Sequence, residues 1–252
     1  MTENSRQSQT LKAVLGLRGL IIDGLINAGE RVSEALLTKK FGVSRTPARA
    51  ALLQLREEGF IESLSTGGFV VSSFSLRDVS DTIEIRGTLE GLAARQAAER
   101  GVDLDLLDAM DDCVKQMEII VNRLANEEDL DAYVALNDRY HDLLTQAAQS
   151  PMLKRAMDKT LTLPFATPNA FVQSTKTDFD GVRAILQYSN EQHRVIAEAI
   201  RNREGSRAQA ITTEHARSAW RYLKLALSRQ AMGELKALNV VQGFYKQPKK
   251  NA

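Results

Sequence analysis

The run GVSRTPARAALLQLREEGFIE, Gly42 to Glu62, decides how this chain is read. Ser44 is a good N-cap for a helix, and Pro47 falls in its first turn, where a missing N–H costs nothing. Ala50, Leu53 and the aliphatic part of Arg56 predict one face, and Gly59 closes the helix. Upstream, Ser33 can cap EALLTKKF, whose Ala35, Leu36, Leu37 and Phe41 stand at helical spacing. Gly42 then occupies the position where a left-handed residue ends a helix. Downstream, Phe60 to Leu64 and Phe69 to Ser73 are β-rich runs separated by STGG, which predicts a hairpin with glycines at the turn.

Helix, glycine turn, helix and hairpin outline a winged helix-turn-helix, in which the second helix enters the DNA major groove. Arg45 and Arg49 are four residues apart and share a face near the positive end of that helix. An arginine can bond guanine bidentately, for about 1–3 kcal/mol of discrimination. Ser44, Thr46 and the helix N-terminal amides suit phosphate, and Lys39 and Lys40 flank them. The plainer alternative, two solvated surface arginines, is weakened by the ordered context around them.

The chain has 252 residues, enough for two domains, with a boundary at Ser72 to Ser75. We assign 1–74 to the DNA-binding domain, 75–230 to an all-helical domain and 231–252 to a helix end and basic tail. A hydrophobic content of 43% and a charged content of 26% are those of a soluble globular protein. The single cysteine, Cys113, excludes an internal disulfide. No apolar run has membrane length, so a cytoplasmic protein is expected. The net charge is only +1, so the case for DNA rests on local placement.

A first helix is expected from Gln9 to Asn27, with Leu11, Val14, Leu15, Leu20, Ile21 and Leu25 at helical spacing. After the wing, Ser75 caps a long helix to about Arg100. Further helices are expected at Asp103 to Asn126, Asp129 to Gln149, Pro151 to Thr162, Asp178 to Tyr188, Asn190 to Arg203 and Ser206 to Leu235. Leu163 to Thr177 is the least regular segment. The fold class is therefore mainly α: a winged helix-turn-helix with a small β-hairpin, then a helical bundle. Arg86 and Glu90 interrupt an apolar stripe on the long helix. They are read either as a buried i, i+4 bridge or as an arginine facing a cavity and an anionic ligand.

All three histidines, His141, His193 and His215, lie in the second half. His193 and His215 are each about 11 residues from the bend joining two consecutive helices, so antiparallel packing brings them level. Asn137 is one turn before His141 on the same face. Three imidazoles and an oxygen form a metal set suited to Zn²⁺, Ni²⁺, Mn²⁺ or Fe²⁺.

The stretch AGERVSEALLTKKFGVSRTPARAALLQLREEGFIESLSTGGFVV, Ala28 to Val71, resembles the GntR family of bacterial transcription regulators. The resemblance implies that Arg45, Thr46 and Arg49 contact operator DNA and that Gly67 approaches the minor groove. Ala50 replaces the acidic residue usual after the second arginine, and Thr66 the usual basic wing residue. EIRGTLEGLAARQAAERG, NDRYHDLL, EQHRVIAEAIRN and EHARSAW resemble the FCD effector domain of the FadR-like subfamily. There the resemblance implies a divalent metal ion held by His141, His193 and His215. Asn137 stands where the family has an aspartate. It also implies a small carboxylate effector near Arg86 and Tyr140. The expected protein is a homodimeric, ligand-responsive regulator of double-stranded operator DNA, a repressor and not an enzyme. Its rivals are a three-histidine metal enzyme and an architectural DNA binder.

Overall fold

The computed structural model describes residues 3–22, 24–170, 179–231 and 241–242, in two compact units, 1–79 with 232–252, and 80–231. In the first unit, helices α1 (Glu3–Ile22), α2 (Glu34–Phe41) and α3 (Arg45–Glu57) pack together beside a three-stranded antiparallel sheet. The sheet order is β1 (Arg31–Val32), β3 (Phe69–Val71), β2 (Ile61–Ser63). Ile61 pairs with Val71 and Ser63 with Phe69, so the hairpin closes over 64–68, where Gly67 and Gly68 have φ of 87° and 90°. A side chain at either would be strained.

Local chemistry sets the helix ends. Ser33 accepts a hydrogen bond from Leu36 N, and Gly42 closes α2 in the left-handed conformation, its N–H on Thr38 O. Ser44 precedes α3 without a side-chain cap bond; its N–H goes to Gln9 Oε1 instead. The buried face of α3 is Ala48, Ala51, Leu52 and Leu55. Ala50 and Leu53, expected on that face, are exposed, because the core lies about 100° around the helix from them. On α1, Val14, Leu17 and Ile21 are buried but Leu11 and Leu15 are not, and the helix stops at Ile22 rather than Asn27. Strand β1 was not anticipated; two residues carry too little periodicity to register.

The second unit is helical, as expected. It comprises most of α4 (Leu76–Arg100), then α5 (Leu104–Arg123), α6 (Glu127–Ala147), α7 (Pro151–Thr160), α8 (Phe179–Arg201), α9 (Gly205–Ala216) and α10 (Ser218–Ala231). The two helices expected between Asp178 and Arg203 are one, α8: Ser189 and Asn190 do not break it, since both are buried within a continuous packed face. Conversely, the single helix expected from Ser206 is two, interrupted at Arg217. Val241–Gln242, within the expected tail, form strand β5, parallel to β4 (Phe74–Ser75); the rest of 232–252 lies outside the described residues.

Glycine brings α4 onto α9. A Cβ at Gly87 would stand 2.7 Å from Ala216 Cβ, and one at Gly91 2.5 Å from Thr213 Oγ1. The two helices therefore approach closely at residues flanking Arg86 and Glu90, and this carries both charges to the neighbourhood of His215.

Candidate metal centre and nucleic-acid interface

Three helices deliver one imidazole each to the interior: His141 from α6, His193 from α8 and His215 from α9. Helix α6 starts at a side-chain cap, Asn126 on Asp129 N, with three acidic residues in its first turn. Helices α8 and α9 pack across the short link at 202–204, and their rings meet with centroids 4.3 Å apart. His141 lies 5.5 Å from His193 and 5.4 Å from His215. One nitrogen from each ring lies within 4.8 Å of the others, and all three residues are buried.

The surrounding groups orient the rings. Gln192 Nε2 donates to the Tyr188 hydroxyl, which turns Gln192 Oε1 toward His215 Nδ1 at 3.2 Å. With the amide in this orientation its oxygen accepts from an Nδ1–H, which leaves the lone pair of His215 on Nε2. Glu90 Oε1 stands 2.9 Å from His141 Nδ1, an ion-pair distance without hydrogen-bond alignment. Among the described residues, His141 Nε2 and both nitrogens of His193 are buried with no hydrogen-bond partner. Such groups cost about 1–3 kcal/mol each when unanswered. A cation taking one lone pair from each ring offsets part of that cost, and on this ground the residues fit a divalent metal ion.

Electrostatics agree. Burial, with His141 adding and Glu90 opposing, pushes His215 down to about 3. Burial, then His215 and His141, holds His193 well below the usual histidine range. Both are thus neutral near pH 7, the form that binds metal. Burial by itself would raise Glu90, but Arg86 and then His141 outweigh it and bring its carboxyl down to about 2.

Arg86 and Glu90 form the buried bridge: Nη1 of Arg86 donates to both carboxylate oxygens at 2.9 and 3.2 Å, and Nη2 to Ala216 O at 3.2 Å. Arg86 also edges a cavity with Asn137, Asn169, Ser189, His215 and Ser218, so the two readings of Arg86 are compatible. The cavity has room of about 20 Å³, of the order of one water molecule. Tyr140, expected to contact an effector, does not line it. The Tyr140 hydroxyl donates to His193 O at 2.8 Å and its ring lies 4.4 Å from that of His193, so it braces the histidine. Asn169, Gln192 and Ser218 were not foreseen; they lie off any readable periodicity and bear no metal-ligand signature.

On the first unit, Ser44, Arg45, Thr46 and Arg49 are exposed at the start of α3, as are Lys40 and the wing's Gly67. Arg45, Arg49, Ser33, Glu34, Ser63 and Gly67 line one open groove between helix and wing. Arg49 Nε lies 3.9 Å from Glu34 Oε1, a loose exposed pair worth little.

The FCD domain family matches residues 81–218, and the family described as bacterial regulatory proteins, gntR family, matches 9–71. The chain belongs to the gntR family of bacterial regulators and carries an FCD domain. It is 29% identical over 206 residues to the HTH-type transcriptional repressor RspR of Escherichia coli K12, covering 79% of this chain and 82% of that protein. It is 30% identical over 142 residues to the HTH-type regulator YdhC of Bacillus subtilis, covering 56% of this chain and 62% of that one. Among solved structures, E. coli McbR/YncC has the same fold, with a TM-score of 0.62 at 16% identity over 89% of this chain and 98% of that one. This gntR-family chain is thus a DNA-binding transcriptional regulator and not an enzyme. Among its described residues no helix is long and apolar enough to cross a membrane.

Proposed function

We propose that this regulator is a homodimeric repressor whose FCD domain holds a divalent metal ion and answers to a small carboxylate. The observation that carries the reading is the set of three buried imidazoles with nitrogens within 4.8 Å of one another, two of the rings without a hydrogen bond among the described residues. Asn137 adds an oxygen from the same face of α6 as His141. A divalent ion held there supplies positive charge and open coordination positions for an acid. Because imidazoles and an amide carry no charge, the ligands leave that positive charge undiminished, which favours an anion. Arg86 can contribute an N–H from the cavity edge, its own charge answered by Glu90. The small cavity must widen to admit an acid.

In the first unit, Arg45 and Arg49 read base edges, while Ser44, Thr46 and Lys40 hold phosphates and Gly67 lets the wing come close. Two copies call for a two-fold symmetric operator. Support for repression comes from the names of the relatives RspR and GlaR, both transcriptional repressors of E. coli K12. A coupling of about 1–3 kcal/mol between acid and DNA would change affinity 5- to 150-fold.

The test is elemental analysis of the purified protein, with His193→Ala alongside, followed by titration of organic acids against protein bound to a duplex selected from a random pool. One bound metal per chain, lost in His193→Ala, with DNA affinity shifted by some acid, is the expected result. Absence of metal from protein reconstituted with Zn²⁺, Ni²⁺, Mn²⁺ and Fe²⁺ would remove the metal reading. No shift from any acid that binds the protein would remove the allosteric one.

A further inference from the structure

Asn169 decides which way up Asn137 is held. It lies in the segment after α7, and its Nδ2 donates to Val134 O at 3.3 Å and to Asp138 Oδ1 at 2.7 Å. A carbonyl and a carboxylate oxygen both accept, so the amide nitrogen of Asn169 must face them and its oxygen must face away. That oxygen accepts from Asn137 Nδ2 at 3.1 Å. The orientation of the second amide follows from that of the first: with Nδ2 of Asn137 turned to Asn169, its Oδ1 lies on the other side of the amide.

This matters because the residue is an asparagine. A carboxylate has two equivalent oxygens and serves a cation either way up. An amide serves it only through oxygen; turned over, it would present two N–H donors to a positive ion. Asn137 is buried, four residues before His141 on α6, and lines the same cavity as His215.

We infer that Asn169 is a positioning residue for the metal centre, holding Nδ2 of Asn137 so that the carbonyl oxygen is presented to the ion. The inference rests on the metal reading above. It adds a residue from outside the helices that carry the ligands, and explains how an uncharged side chain serves at that position.

The experiment measures Zn²⁺ affinity of the full chain by competition with a chromophoric chelator, in wild type, Asn169→Ala, Asn137→Asp and the double variant. Asn169→Ala is expected to weaken Zn²⁺ binding about 10- to 100-fold, the usual effect of losing a group that orients a ligand. In the Asn137→Asp background the same change is expected to alter affinity by less than about threefold, because a carboxylate needs no orienting. Asn169→Leu keeps the branched shape and drops the amide; it is expected to match Asn169→Ala and carries the comparison if the alanine variant fails to fold. An equal loss in both backgrounds would make Asn169 a packing residue only and overturn the inference while leaving the metal reading intact. No loss in the asparagine background would overturn it too. Wild-type protein that binds no Zn²⁺, like His193→Ala, would remove both.

Discussion

Glu90 Oε1 stands 2.9 Å from Nδ1 of His141, while the same carboxylate receives Nη1 of Arg86. Arg86 and Glu90 are each only 2% exposed, so neither charge has water to fall back on. Removing one member of such a pair costs about 3–5 kcal/mol, whereas replacing both by apolar residues of similar size is often neutral. Glu90→Gln is therefore expected to destabilise the metal-free protein by about that amount, and Arg86→Met with Glu90→Leu by much less. Urea unfolding of the three proteins checks it; equal losses would show that the charges matter separately.

Gly87 sets the approach of α4 to α9. A Cβ there would lie 2.7 Å from Ala216 Cβ, which cannot swing aside because it is fixed to its own helix. Helix propensity alone favours alanine by about 1 kcal/mol, but overpacking costs about 1–3. Gly87→Ala is expected to lower the melting temperature, with Gly19→Ala, whose added Cβ meets nothing within 4 Å, as the control. A melting point raised in both would contradict the close packing.

Arg49 is exposed on α3, in a loose 3.9 Å pair with Glu34. Arg49→Ala is expected to weaken binding to a selected operator duplex by about 1–3 kcal/mol with unchanged metal content. A filter-binding or anisotropy titration at fixed salt measures it. Unaltered affinity would take the arginine off the DNA.

Acid should destabilise the chelator-treated protein, with the histidines responsible first. In the unfolded chain a histidine titrates near 6.5, but folded His215 only near 3, so on acidification the unfolded state takes up the proton first. Full stability is present above about pH 6.5 and is lost as the pH falls toward 3. His215 alone accounts for about 2 kcal/mol between pH 7 and pH 5. Glu90 acts in the same direction lower down: its contribution holds above pH 4.5 and disappears as the pH falls through about 2. Urea midpoints at pH 7 and pH 5, compared with His215→Gln, test this. A wild-type slope no steeper than that of the variant would refute it.

The recognition unit was legible in sequence because its signals are local. Ser33, Gly42 and the STGG turn act within a few residues, and caps and left-handed glycines leave a mark at their own position. The buried face of α3 was missed by one position, since Leu52 and Leu53 differ only in which neighbour they meet. The continuity of α8 through Ser189 and Asn190 was missed for a like reason: burial against other helices overrode weak helix formers.

The order of residues by itself determined the helical character of both units, the three histidines and the arginine pair on α3, because these follow from identity and from a period of 3.6. Only the tertiary structure decided that Glu90 would face His141, that Gln192 would meet Nδ1 of His215, and that Asn169 would turn the Asn137 amide. Each joins residues on different elements through contacts whose energy appears only after the helices have packed. No spacing along the chain encodes which face of α4 meets α9; the van der Waals limit at Gly87 and Gly91 does.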